Sequence, residues 1–229
     1  MDDPLSIHQL EEVLRRILGQ EHALPEDWEP HATTYDLPRF HSEAEFLTRF
    51  EAAALQMLTQ EIHDPPRLRA LLTSCGHPYD YARLGHPLST VYELYLRYLT
   101  GAGHVVSFAS QTKAFLAPIE ARRAVPSPVR LYAAGRLPLS AAKQAALREQ
   151  QVEIHENWTG PLPEAAPGTL TIYASDAPPA KDTLARIQAD AVSCPIDEGG
   201  VLLIRQGTPL DDPLNLKQIQ LIRKRTVAA

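Results

Sequence analysis

Cys75 is followed by Gly76 and His77, a thiol next to a base. Nucleophilic catalysis needs a Ser or Cys on a tight turn, with a base and oxyanion donors aimed at one reacting atom. Adjacent side chains seldom share such a target and no GxSxG occurs, so a buried cysteine at a helix end is expected here. The nine histidines raise metal binding as a second chemistry. His77, His86 and His104 flank one helical stretch, and His31 and His41 fall in a proline-rich connector. None forms the HxH or HExxH pair with which one local element places two ligands, so no metal site made by this chain alone is expected. The segment Ala134-Gly135-Arg136-Leu137-Pro138 has a single glycine, and both GxGxxG and GxxxxGKS/T are missing. Nucleotide binding is therefore unsupported. Ser110-Gln111-Thr112-Lys113 has the faint outline of a cofactor-anchoring turn, but a helix N-cap followed by a solvated lysine explains it more cheaply. An enzyme working alone would have to use His86, Cys75 or Lys113 as base or nucleophile.

The elements that carry these residues are readable from periodicity. Ser6-Ile7-His8-Gln9 has capping-box form, and Ile7, Leu10, Leu14, Ile17 and Leu18 then repeat at helical spacing up to Gly19. Ser42-Glu43-Ala44-Glu45 opens a second helix, with Leu47, Phe50, Ala54, Leu58 and Ile62 expected on its buried face. Between them Pro25, Pro30 and Pro38 mark an irregular connector packed by Trp28, Tyr35 and Phe40. Pro65-Pro66 starts a third helix ending at Gly76, and Leu88, Val91, Tyr92, Tyr95 and Leu99 mark a fourth, stopped by Gly101. Val105 to Phe108 is too short to assign. The helix expected over Ser110–Arg123 should kink or end at Pro118.

From Pro126-Ser127-Pro128 onward strands alternate with helices. Strands are expected over Val129–Ala133, Val152–His155, Thr169–Ala174 and Val201–Arg205, and helices over Ser140–Gln151 and Lys181–Asp190. Leu214–Val227 fits a helix opened by Asp212-Pro213 or a strand, and is assigned to a strand ending in a basic arm. The expected fold is thus α+β or α/β: a helical bundle-like domain over 1–126, then a small, mostly parallel α/β sheet domain over 127–229.

Composition narrows the function class. A net charge of −6, with the one dense basic cluster at Arg223-Lys224-Arg225, gives no footprint for nucleic acid or anionic lipid. Val201–Ile204, among the longest apolar runs, is far short of the ~20 residues of a membrane span. No signal sequence is readable at the N-terminus, and two cysteines without CxxC spacing fit a reducing compartment, so a cytoplasmic location is expected. The chain shows no complete catalytic motif of its own. A small open sheet has two edges to which an extended peptide can add through backbone hydrogen bonds, unless the prolines blunt them.

Two blocks add a resemblance. Tyr79 to Glu93, reading YDYARLGHPLSTVYE, with Val106 to Thr112, reading VSFASQT, and the C-terminal Ile219 to Thr226, reading IQLIRKRT, resemble the methanobactin biosynthesis protein C family. The resemblance implies a non-metal subunit of a heterodimer whose TIM-barrel partner, methanobactin biosynthesis protein B, holds the iron, with no cofactor bound by the present chain. The implied complex uses dioxygen to convert cysteines of a ribosomally made precursor peptide into oxazolone–thioamide groups of a copper chelator. This subunit would stabilise the barrel and bind the leader peptide, and Arg223 and Arg225 would assist the partner's site by neutralising negative charge. A purely structural adaptor and the stand-alone enzyme are the alternatives.

Overall fold

The computed structural model describes residues 4–28, 42–78, 86–122, 127–164, 166–197 and 199–225. The chain divides into two compact units, Met1–Tyr98 and Leu99–Ala229. The division falls well before the expected boundary at residue 126, for a topological reason. His104–Phe108, too short to assign by itself, pairs with a strand nearly a hundred residues later and so belongs to the sheet.

In the first unit, α1 (Ile7–Leu18) and α2 (Glu43–Thr59) both start with the capping boxes read from the sequence. Ser6 accepts from the Gln9 N–H while Gln9 reaches back to the Ser6 N–H, and Ser42 and Glu45 do the same. Each pair satisfies two helix-end donors that water would otherwise have to serve. The buried stripe of α2 is rotated from the expected one: Phe46, Phe50, Ala53, Ala54 and Met57 face the core, while Leu47 and Leu58 are half-buried. These residues pack with Leu10, Val13 and Ile17 of α1, with Trp28, and with Leu68 and Leu72 of α3 (Pro65–Cys75). Arg16 ties α1 to the far end of α2 by donating to the Met57 carbonyl at 2.8 Å and the Ile62 carbonyl at 3.4 Å. Helix α4 (Pro87–Thr100) follows. Tyr79 to Gly85, the start of the first resemblance block, and most of the proline-rich connector lie outside the described residues.

The second unit is an α/β structure built on a six-stranded sheet in the order β1-β6-β5-β4-β2-β3. Its strands are β1 (His104–Phe108), β2 (Val129–Ala133), β3 (Val152–His155), β4 (Leu170–Ala174), β5 (Ala191–Ile196) and β6 (Gly199–Ile204). Strands β3, β2, β4 and β5 run parallel, and β6 is antiparallel to both β5 and β1, so the sheet is mixed. Strand β5 was not expected, because Ser193 and Pro195 break the apolar run by which strands are recognised. With no N–H, Pro195 cannot extend the β4 ladder, which ends at Ser193.

One face of the sheet carries Val106, Leu131, Ile172 and Leu202, covered by α5 (Gln111–Ala121), α6 (Ala141–Glu149) and α8 (Pro213–Arg225). Two expectations about these helices are corrected. Pro118 neither ends nor divides α5, because it sits in the last turns, where one missing backbone bond is outweighed by packing of Ala114, Phe115 and Ile119. Residues 213–225 form a helix, not a strand. Asp212 accepts from the Leu214 N–H at 2.9 Å, Pro213 takes the first position, and Leu216, Ile219 and Ile222 repeat at helical spacing against the core. The other face holds Tyr132 and Tyr173, and the short α7 (Lys181–Arg186) packs on that side of β4. Among the described residues no helix is long and apolar enough to cross a membrane.

Candidate functional site

Strand β2 hands the chain to α6 on one face, and β4 hands it to α7 on the other. Where two neighbouring parallel strands diverge in this way, a crevice opens beyond their carboxyl ends, the usual ligand position in open α/β sheets. A cleft of about 90 Å³ lies there, bordered by Gln111, Arg136, Asp176, Ser193 and Pro195. At the end of β2 the turn is pinned from outside: Glu156 accepts from the Leu137 N–H at 2.7 Å and the Gly135 carbonyl accepts from the Asn157 N–H at 3.1 Å. Pinned this way, the turn leaves Arg136 exposed at the cleft without an ion pair or hydrogen bond among the described residues. At the end of β4 the Ser175 N–H donates to the Ser193 carbonyl at 2.8 Å, and the Ser175 hydroxyl closes a tight turn onto the Ala177 carbonyl. Asp176 is thereby presented beside Gly135, where an added Cβ would stand 3.5 Å from its carboxylate oxygen. Asp176 too is exposed and unpaired among the described residues.

The third wall is the start of α5. Its N-cap Ser110 is extended and makes no side-chain cap bond, so the first-turn N–H groups carry their partial positive charge toward the cleft without that usual partner. This helix can lie so close because of Gly200 on β6: a Cβ there would stand 2.7 Å from the Gln111 Cα, a distance side chains do not tolerate. Cys194 also borders the cleft, but burial pushes its thiol up to about 12. It is neutral at physiological pH and unsuited to nucleophilic attack.

The residues considered for chemistry from the sequence lie elsewhere. Cys75 is buried at the end of α3, its thiol likewise pushed up to about 12 by desolvation. His86 accepts from the Leu88 N–H at 3.2 Å, and Lys113 stands 3.9 Å from Glu120 on its own helix. Cys75 and His86 fall in the first unit and Lys113 in the second. Arg223 is buried in α8 and engaged there, while the side chain of Arg225 lies outside the described residues. Among the described residues no three His, Cys, Asp or Glu side chains cluster as metal ligands. The residues that line the cleft carry no contiguous motif, and the segment around Arg136 lacks a glycine-rich cradle. The available signal is a charged residue within about three positions of the end of each of two strands, Arg136 after β2 and Asp176 after β4.

No protein-family model matches the chain, and no curated protein matches it. Solved structures do. One is apo CalE6, a methionine gamma lyase from Micromonospora echinospora, at 14% identity over 64% of this chain and 50% of that one, with a TM-score of 0.42. A cystathionine gamma synthase from Xanthomonas oryzae pv. oryzae, in complex with cystathionine, is 16% identical over 66% and 49%, with a TM-score of 0.45. A Campylobacter jejuni structure described as an O-acetylhomoserine (thiol)-lyase, holding N'-pyridoxyl-lysine-5'-monophosphate, is 14% identical over 56% and 42%, with a TM-score of 0.38. The chain thus spans about half the length, or less, of these structures.

These neighbours correct the expected family, since they are sulfur-amino-acid enzymes and not methanobactin biosynthesis protein C. The function expected with that family, a subunit for oxazolone and thioamide formation in copper-chelator biosynthesis, is withdrawn with it. The expectation of a chain without a cofactor of its own is withdrawn too, since one neighbour holds a pyridoxyl-lysine group. At these similarities the likeness carries no activity over to the present chain, so the cleft is judged by its own residues. A pyridoxal phosphate held through lysine does not fit it, since among the described residues no lysine lines the cleft.

Proposed function

We propose that the sheet unit is a receptor for a small zwitterion of amino-acid size, bound at the carboxyl ends of β2 and β4. Arg136 takes the carboxylate, assisted by the first turn of α5, and Asp176 takes the ammonium. The observation that carries this reading is the presence of two opposite, unpaired charges around one small cleft at the divergence of β2 and β4. Guanidinium and carboxylate bonds to charged ligand groups are the stronger class of hydrogen bond, and partial enclosure reduces their screening. Binding rather than turnover is supported by the lining, which holds neither His nor Lys and whose one thiol is kept neutral.

Calorimetric titration of the full chain with L-alanine, L-serine and L-cysteine tests the proposal. Lactate and ethylamine, each keeping one charge of alanine, serve as comparisons. At least one amino acid should bind saturably, with each single-charge analogue weaker by tenfold or more. Arg136→Gln and Asp176→Asn should each lose about tenfold, or about 1.4 kcal/mol. Lactate binding as tightly as alanine, or an unchanged affinity in Arg136→Gln, would refute it.

A further inference from the structure

The face of the sheet opposite the cleft holds a larger and chemically different cavity, of about 390 Å³. Its origin is the connection from β3 to β4, which carries Pro161, Pro163 and Pro167. Prolines there remove the N–H groups that a strand or a helix would use, so the connection crosses the sheet as irregular chain and leaves space between itself and α7. Pro161 and Leu162 form one wall, Tyr173 of β4 the floor, and Pro179 and Ile187 the far side. These surfaces are apolar, and the volume falls in the range of ~300–1,000 Å³ usual for small-molecule sites.

One cation stands at this cavity. Arg186 donates from Nε to the Asp182 carbonyl at 3.0 Å, which orients the guanidinium, while its terminal nitrogens have no acceptor among the described residues. Among the described residues no acidic side chain lines the cavity. An oriented, unpaired guanidinium at the mouth of an apolar pocket with an aromatic floor suits a flat apolar body ending in a carboxylate. We infer that this cavity is a second binding site, for a small aromatic carboxylate, with Arg186 holding the acid group and the ring lying between Tyr173 and the two prolines. Ser175 borders both this site and the zwitterion cleft, but the charged side chains differ, Arg186 here and Arg136 with Asp176 there, and so do the ligands in size and charge.

The test uses the full chain and phenylacetate, with phenylacetamide and acetate as probes lacking the charge or the ring. Phenylacetate should bind saturably in calorimetry, and each comparison probe should bind at least tenfold more weakly. A Cβ added at Gly160, which lines the cavity, would stand 3.9 Å from the Trp158 indole, so binding should also change tryptophan fluorescence. Arg186→Gln should weaken phenylacetate at least tenfold while leaving phenylacetamide unchanged, and Arg186→Lys should recover part of the loss. Thr183→Phe, at an exposed position of α7, should block both ring-bearing probes. Arg136→Gln should leave phenylacetate affinity within twofold, which separates this site from the zwitterion cleft. The inference is overturned if phenylacetate binds Arg186→Gln as tightly as the parent chain, if its binding follows Arg136 instead, or if no saturable binding is found.

Discussion

The helical unit and the sheet unit differ in what certain of their charged side chains touch. In the helical unit several of them serve the fold itself. Arg16 donates to two carbonyls of the α2 end, Arg69 donates to the His22 carbonyl, buried His77 lies 2.9 Å from Asp27, and the Tyr98 hydroxyl donates to Glu51. In the sheet unit Arg136 after β2, Asp176 after β4 and the terminal nitrogens of Arg186 on α7 have no partner among the described residues. A side chain that satisfies a backbone carbonyl has its role within the fold, and one held in place without a partner is open to a ligand. With both proposed sites in the sheet unit, the role expected of the helices is packing.

The strongest way to break this contrast is to damage the helical core and look for an effect on binding. Phe50 is fully buried and stacks on Phe46 with ring centroids 6.4 Å apart. Phe50→Ala should cost about 3–5 kcal/mol, from lost transfer energy plus the cavity left behind. Urea unfolding followed by far-ultraviolet circular dichroism measures that cost. Under native conditions the affinity of the sheet unit for its zwitterion should stay within twofold. A tenfold loss would mean that the helical unit takes part in recognition, and the contrast would fail.

A smaller change sharpens it from the local side. Ser42→Ala removes the acceptor for the Glu45 N–H and one half of a capping box, at a cost of about 1 kcal/mol. Ser140 caps α6 in the sheet unit by the same kind of bond, to the Lys143 N–H at 3.3 Å, so Ser140→Ala should cost a similar amount. Equal losses in urea midpoints would show that the two units obey the same local rules and differ only in what their charges do.

Those local rules explain what was legible in the sequence. Both capping boxes, the proline start of α3 and strands β2, β3 and β4 depend on residues within a few positions of each other, and were read within a residue or two. What depends on distant pairing was not. Val105 to Phe108 became a strand only through Val201 to Ile204, and α8 declared itself only when Ile219 and Ile222 met the sheet. The cleft was the least legible feature, since Gln111, Arg136, Asp176 and Ser193 come together by strand order and not by spacing. The block from Tyr79 to Glu93 suggested a family through its letters alone, and letters without geometry gave the wrong one.

The two cysteines allow the finest comparison, because one lies in each unit. Cys75 is fully buried in the helical unit and Cys194 is 3% exposed in the sheet unit. Desolvation pushes both thiols from the ordinary 9.0 up to about 12, with Arg49 pulling slightly the other way on Cys75. Below pH 9 both the folded and unfolded chains keep these protons, so the thiols make no pH-dependent difference. As pH rises through 9 toward 12 the unfolded chain releases protons that the folded chain retains, and stability falls. At pH 9.5 each thiol should account for a loss of about 0.8 kcal/mol. Urea midpoints at neutral pH and at pH 9.5, compared among the parent chain, Cys75→Ala and Cys194→Ala, isolate each share, because the other titrating groups are common to all three. Native-state labelling with a disulfide reagent then reports how often each unit opens, since only an exposed thiolate reacts. Cys194 borders the cleft, so saturating zwitterion should slow its labelling while leaving that of Cys75 unchanged. Slowing of both thiols by the same factor would show that the two units open together and that the ligand does not act on the sheet unit alone.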